Sequence, residues 1–119
     1  MAKQDDLGAG RKAPSAEDAV VAEVVRRLVE VYRPEKVYLF GSAGRGDARA
    51  DSDYDILLVT PDDSPECLRD GRRGYQAIAD LPISVDLVVY TASGFYGRLP
   101  LKASLPATVV REGRLLHAA

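Results

Sequence analysis

The feature that most constrains this chain is a Gly-Ser pair separated by ten residues from an Asp-x-Asp. The apolar run 37–40 leads directly into Gly41-Ser42. Asp53-x-Asp55 leads directly into a second apolar run. Short apolar runs bounded by glycine and polar residues are typical of buried strands. The pattern therefore predicts a glycine turn after one strand and two carboxylates at the start of the next, as in a phosphate cradle facing a metal site.

Length and composition indicate one small globular domain. The 119 residues, 46% of them hydrophobic, are enough to bury one core, so we expect a domain over 15–119. Residues 1–14 are polar and lack an apolar period, which predicts a disordered tail. Sixteen basic and eighteen acidic residues give a net charge of -2, which makes nucleic acid an unfavourable partner.

The hydrophobic pattern gives no indication of a membrane span or a signal peptide. No apolar run approaches the roughly 20 residues needed to span a bilayer. The polar start lacks the apolar core of a signal peptide, and the single cysteine, Cys67, cannot form an internal disulfide. We therefore expect a cytoplasmic protein with no membrane partner.

Helix and strand signals alternate along the domain. A helix is predicted from a cap at Ser15 until Pro34 stops it, because apolar residues recur there at helical spacing. The other predicted helices cover 42–50, 64–79, 93–99 and 106–113. The predicted strands cover 36–40, 54–60 and 83–90, with an edge strand over 114–117. This alternation predicts an α/β fold, a mixed sheet flanked by helices, and leaves the strand order open.

The carboxylates favour magnesium. Side chains alternate along a strand, so Asp53 and Asp55 project from the same face and need a cation to offset their repulsion. Magnesium prefers hard oxygen ligands and substrate phosphates, which suits a triphosphate such as ATP. Asp86, in the predicted strand 83–90, can supply a third carboxylate. Two metal ions held there could activate an acceptor hydroxyl and stabilise a leaving pyrophosphate.

The glycine turn provides the complementary anion site. Gly41 can adopt backbone angles closed to other residues and lets a phosphate approach the main chain. Ser42 offers a hydroxyl and an amide at a predicted helix start, where anions are favoured. Arg45 can add positive charge, although an exposed arginine can equally form a surface ion pair.

Each of these residues also has an ordinary structural interpretation. An Asp-x-Asp alone is most often a solvated turn, and Asp86 alone can cap a strand end. The Gly-Ser pair at fixed spacing favours the metal site over coincidence. His117 and Cys67 have no partner residues that would indicate catalysis, so we assign them no role.

The motif in residues 41–55, with Ser52 before the first aspartate and Asp86 in a later strand, resembles the nucleotidyltransferases of the DNA polymerase beta superfamily. The small size resembles the minimal nucleotidyltransferase subgroup, with a polymerase beta palm-like fold. The resemblance implies that Gly41-Ser42 hold nucleotide phosphates and that Asp53, Asp55 and Asp86 bind two magnesium ions.

The resemblance also implies a biological setting. Many small members pair with a helical HEPN protein as antitoxin to toxin, and some transfer AMP from ATP to a tyrosine of that partner. The function expected is therefore magnesium-dependent transfer of a nucleoside monophosphate to a hydroxyl, with a protein partner as acceptor. The alternatives are a non-catalytic antitoxin that masks its partner, and transfer to a small molecule of the aminoglycoside type.

Overall fold

The computed structural model describes residues 16–41 and 54–119. In chain order the elements are α1 (Ala16–Tyr32), β1 (Lys36–Phe40), β2 (Tyr54–Thr60), a 3-10 turn (Glu66–Leu68), α2 (Arg72–Ile78), β3 (Val85–Thr91), α3 (Ala92–Arg98), α4 (Leu105–Glu112) and β4 (Arg114–Ala118). The predicted tail over 1–14 and the predicted helix over 42–50 lie outside the described residues.

The four described strands form one mixed sheet in the order β3-β2-β1-β4. β1 runs antiparallel to both β2 and β4, whereas β2 and β3 are parallel. Parallel neighbours need a crossover, and the segment that contains α2 supplies it. The predicted α/β fold with a mixed sheet is confirmed.

The strand predictions agree closely with the structure. β1 and β2 have the predicted bounds, and β4 is an edge strand as expected. β3 begins two residues later than predicted, because the N–H of Ile83 is used by the carbonyl of Leu81 in a tight turn at 2.8 Å. The carbonyl of Ser84 then accepts from the N–H of Tyr54 at 2.9 Å, which starts the parallel pairing.

The sheet is covered by helices on both faces. α1 and α2 pack on one face, over a core that includes Val24, Leu28, Tyr32, Val37, Leu39, Ile56, Leu58 and Ile78. On the other face α3 and α4 contribute Phe95 and Val109 to a core completed by Tyr38, Leu57 and Val59. Leu57 and Leu58 are both fully buried, so β2 is a central strand covered from both sides, as its apolar run predicts.

The single helix predicted over 64–79 is wrong, because the chain forms a 3-10 turn and then a separate helix, α2. The break is held by hydrogen bonds. The side chain of Asp70 accepts from the N–H of Arg72 at 3.0 Å, and the hydroxyl of Tyr32 donates to the carbonyl of Asp70 at 2.8 Å. The same hydroxyl accepts from the N–H of Gly74 at 2.8 Å. A tyrosine of α1 thus fixes the place where α2 begins.

The last two helices begin at side-chain caps. Thr91 accepts from the N–H of Gly94, and Ser104 accepts from the N–H of Ala107. Such caps satisfy amides that have no partner within the helix. The helices predicted over 93–99 and 106–113 are therefore confirmed to within one residue at either end. Among the described residues, no helix is long and apolar enough to cross a membrane.

Candidate active site

Asp55 and Asp86 lie side by side on neighbouring strands. The parallel register of β2 and β3 pairs them directly. Adjacent strands are about 4.8 Å apart, and paired residues project from the same face. That face carries Leu57 and Val88, which pack beneath α3 and α4. The two carboxylates therefore emerge together where β2 and β3 begin, with Asp55 half-buried and Asp86 exposed.

Gly41 directly follows β1 and lies next to Asp55. Its neighbour Phe40 pairs with Asp55 across the antiparallel β1–β2 ladder. Gly41 has a φ of 71°, in the left-handed region that favours glycine. A Cβ atom placed on it would lie 2.5 Å from Oδ2 of Asp55. The carboxylate thus occupies the space that any other residue at position 41 would fill.

Three of the predicted site residues lie outside the part of the chain that the structure describes. These are Asp53, Ser42 and Arg45. Within residues 16–41 and 54–119, no group of three or more His, Cys, Asp or Glu side chains could hold a metal ion. The described site therefore comprises two of the three predicted carboxylates and the glycine, and the roles of the remaining residues stay predictions.

The described donors suit magnesium by their chemistry. Asp55 and Asp86 offer carboxylate oxygens on one face, and hard oxygen ligands are those that magnesium prefers. The cysteine and the histidine lie elsewhere. Cys67 is exposed in the 3-10 turn, and His117 lies on β4, where it pairs with Val37 of β1. No role in the site follows for either residue.

Tyr75 lies near the site, and its sequence context predicts no role for it. Its hydroxyl accepts a hydrogen bond from the N–H of Leu87 at 2.9 Å, and Leu87 directly follows Asp86. A tyrosine in a helix carries no signal for such a contact, because the contact depends on how α2 packs against β3.

Solved structures of similar fold include three with comparable scores. A chain of a crystal structure of a toxin-antitoxin with AMP-PNP is 24% identical with a TM-score of 0.53, over 82% of this chain and 73% of that one. A protein from Sulfolobus solfataricus described as a nucleotidyltransferase is 22% identical with a TM-score of 0.52, over 93% of both chains. A chain of a crystal structure of a mutant of the toxin-antitoxin MntA-HpeT is 24% identical with a TM-score of 0.50, over 82% of this chain and 72% of that one. At these identities the likeness shows the fold.

The family follows from the sequence match. No individual curated protein matches the chain, but a family model does. The model of the nucleotidyltransferase domain family matches residues 20–115, which include the Gly-Ser pair, the Asp-x-Asp and Asp86. This match confirms the resemblance inferred from the motif, and the chain belongs to the nucleotidyltransferase domain family.

Proposed function

We propose that this protein is a magnesium-dependent nucleotidyltransferase that moves AMP from ATP to a hydroxyl of a protein partner. The observation that carries the proposal is the in-register pair Asp55 and Asp86, set against Gly41 at one end of the sheet. Membership of the nucleotidyltransferase domain family supports the reaction type. Magnesium, ATP and the protein acceptor are proposed from the chemistry of the site and from the resemblance.

The residues of the chain have distinct parts in the proposed reaction. Asp53 and Asp55 would hold both magnesium ions, and Asp86 would hold one of them. Bound magnesium neutralises phosphate charge and lowers the pKa of a coordinated hydroxyl. Gly41 leaves room for the Asp55 carboxylate, while Ser42 and Arg45 would contact the phosphates.

The proposed step is an in-line displacement at the α-phosphorus. The acceptor oxygen forms a bond to the α-phosphorus, and the bond from that phosphorus to the α–β bridging oxygen breaks. Pyrophosphate leaves with the electron pair of the broken bond. Asp86 accepts the hydroxyl proton or assists its removal. Catalysis of this kind rests on positioning and electrostatic stabilisation, so the register between β2 and β3 matters directly.

The acceptor is proposed to be a protein. Two of the similar solved structures are toxin-antitoxin structures, which supports a toxin-antitoxin setting for this chain. The family resemblance implies that the partner is a helical HEPN protein and that the acceptor is a tyrosine of that partner. In this proposal the acceptor hydroxyl belongs to that partner.

The test is transfer to the cognate helical protein. Incubation with ATP and magnesium should add the mass of one AMP group to that partner, detected by intact-protein mass spectrometry. Asp86→Asn should stop the addition while the two proteins still associate. Asp63→Asn removes one charge from an exposed turn away from the site and should leave the addition unchanged.

Masking of the partner is the competing outcome. If wild type and Asp86→Asn neutralise the partner equally well and no mass is added, the protein acts by covering its partner. The enzyme proposal then fails for that partner.

A further inference from the structure

We infer that Tyr75 is a positioning residue for Asp86, an inference that rests on the proposed function. Tyr75 lies in α2, on the helical layer that covers the other face of the sheet. Its hydroxyl reaches the outer edge of β3 and accepts from the N–H of Leu87 at 2.9 Å. β3 is one of the two edge strands of the described sheet, where an outward N–H would otherwise be left to water.

The backbone pattern shows why this contact acts on Asp86. The N–H of Tyr54 donates to the carbonyl of Ser84, so the backbone groups of Ser84 face β2. Backbone groups alternate sides along a strand, so those of Asp86 also face β2 and those of Leu87 face outward. The peptide unit that joins Asp86 to Leu87 is planar. It is therefore held from both sides, by β2 at its carbonyl and by Tyr75 at its N–H.

Two glycines allow α2 to lie directly on Leu87. A Cβ atom on Gly71 would lie 3.0 Å from Cε2 of Tyr75 and 3.3 Å from Cβ of Leu87. A Cβ atom on Gly74 would lie 2.5 Å from Cδ1 of Leu87. A side chain at position 74 would displace the end of Leu87, and one at position 71 would crowd Tyr75 and Leu87. The Tyr75 ring and the Leu87 side chain are thus packed against the start of the helix as well as joined by a hydrogen bond.

The helix that carries Tyr75 is itself fixed to the core. The hydroxyl of Tyr32 bonds both the carbonyl of Asp70 and the N–H of Gly74. Tyr32 is 1% exposed and belongs to the core beneath α1. Hydrogen bonds therefore connect α1 to α2, and α2 carries Tyr75, which contacts the residue next to Asp86. Groups that orient a metal ligand without touching the metal commonly change metal affinity or activity by about 10–100-fold.

A purely structural role for Tyr75 predicts different behaviour. A hydroxyl that only covers the edge strand would protect the chain from pairing with other strands, and its loss would leave the magnesium dependence unchanged. A positioning role predicts that the loss of the hydroxyl weakens magnesium binding through Asp86. Magnesium titration of ATP binding separates the two roles.

The test uses Tyr75→Phe, which removes only the hydroxyl. We expect the magnesium concentration for half-maximal ATP binding to rise about tenfold, with ATP binding in chelator unchanged. Tyr96→Phe is the matched control, because Tyr96 is 39% exposed against 43% for Tyr75 and contacts Lys36, at the far end of β1 from Phe40. Tyr96→Phe should titrate as wild type does.

A double-mutant comparison locates the effect at Asp86. In an Asp86→Asn background, adding Tyr75→Phe should cause no further change in the magnesium titration, because both substitutions act on the same ligand. An equal additional loss in that background would overturn the positioning role. Identical titrations of Tyr75→Phe and Tyr96→Phe would also overturn it.

Hydrogen exchange tests the structural basis without metal or nucleotide. In Tyr75→Phe the Leu87 amide should exchange faster, whereas amides of the buried strand β2 should keep their protection. Unchanged exchange at Leu87 would overturn the inference whatever the titrations show. If wild type has no magnesium-dependent ATP binding, the proposed function fails and the positioning role fails with it. Normal wild-type binding with an unaffected Tyr75→Phe overturns the positioning role alone.

Discussion

Oδ2 of Asp55 lies 2.5 Å from the point where a Cβ atom of residue 41 would stand, so the Asp55 carboxylate occupies space that only a glycine at position 41 leaves open. The left-handed φ of 71° at Gly41 adds a second restriction. From the sequence, this glycine is explained by the approach of a phosphate to the backbone. The structure gives a reason that is present before any nucleotide binds, because the glycine makes room for a proposed metal ligand.

Gly41→Ala should therefore impair the site even though the substitution is small. The added methyl group would displace the Asp55 carboxylate, and we expect magnesium-dependent ATP affinity to fall by at least about tenfold. Calorimetric titration of ATP in magnesium and in chelator measures the change. Gly97→Ala is the matched control, because a Cβ atom on Gly97 would meet nothing within 4 Å. Unchanged ATP affinity in a folded Gly41→Ala would show that Asp55 needs no fixed position.

Asp53→Asn and Asp55→Asn should each abolish the difference in ATP affinity between magnesium and chelator. Asparagine keeps the size of the side chain and removes its charge, so folding should survive. The comparison is made by the same titration, with thermal unfolding as a check on the fold. Magnesium-dependent binding that persists in both variants would contradict the metal assignment.

Ser42→Ala should be milder than Gly41→Val. The alanine removes one hydroxyl, whereas the valine places a branched side chain where the Asp55 carboxylate lies. ATP titration in magnesium should therefore rank wild type, Ser42→Ala and Gly41→Val in falling order of affinity. Equal affinity of wild type and Gly41→Val, both folded, would place the phosphates elsewhere.

The strands that carry the site could be predicted because their signals are local. β1 and β2 are short apolar runs between a glycine, a proline and charged residues, and both have the predicted bounds. From the sequence, Asp55 and Asp86 could be expected to lie near each other, but not to be paired in register. The exact register depends on how β3 packs beneath α2, and that packing involves residues far apart in sequence.

The error over 64–79 shows what local signals lack. By helix propensity alone, Gly71 and Gly74 would only weaken a helix over this range. The structure shows them at the contact of α2 with β3, where their missing side chains admit Leu87 and Tyr75. The break before α2 is held by Tyr32, which is distant in sequence. Helix propensity therefore predicts neither the break before α2 nor the packing role of its two glycines.

Gly74→Ala and Gly97→Ala should change stability in opposite directions. Alanine at position 74 would press on the Leu87 side chain, and overpacking of this kind costs about 1–3 kcal/mol. Alanine at position 97 meets nothing and should gain up to about 1 kcal/mol from helix propensity. Urea unfolding of both variants measures the difference. A stabilised Gly74→Ala would show that the contact of α2 with β3 is loose.

Stability in acid should depend on Glu23. Hydrogen bonds from Arg26 and then Arg27 lower the pKa of Glu23 from 4.5 to about 2. A carboxylate with a lowered folded pKa stabilises the fold above its unfolded pKa, and this contribution is lost as the pH falls from 4.5 to about 2. Glu23→Gln should therefore reduce the pH dependence of the urea midpoint over that pH range. The reduction should be small because the group is exposed. An unchanged slope in Glu23→Gln would contradict the assignment.

Tyr32→Phe should destabilise the protein although it removes a single oxygen. The hydroxyl is buried, and its loss leaves the N–H of buried Gly74 without the acceptor it has at 2.8 Å. An unsatisfied buried amide costs about 1–3 kcal/mol, which urea unfolding can measure. Tyr96→Phe, at a half-exposed site, should change the free energy of unfolding by less than about 0.5 kcal/mol.

The same substitution connects stability to the site. If Tyr32 fixes the start of α2, Tyr32→Phe should also speed hydrogen exchange at Leu87, because Tyr75 is carried by that helix. The effect should be smaller than in Tyr75→Phe, which removes the acceptor itself. A destabilised Tyr32→Phe with full protection at Leu87 would mean that α2 keeps its place on β3 through packing of Leu87 against the two glycines, without help from the tyrosine of α1.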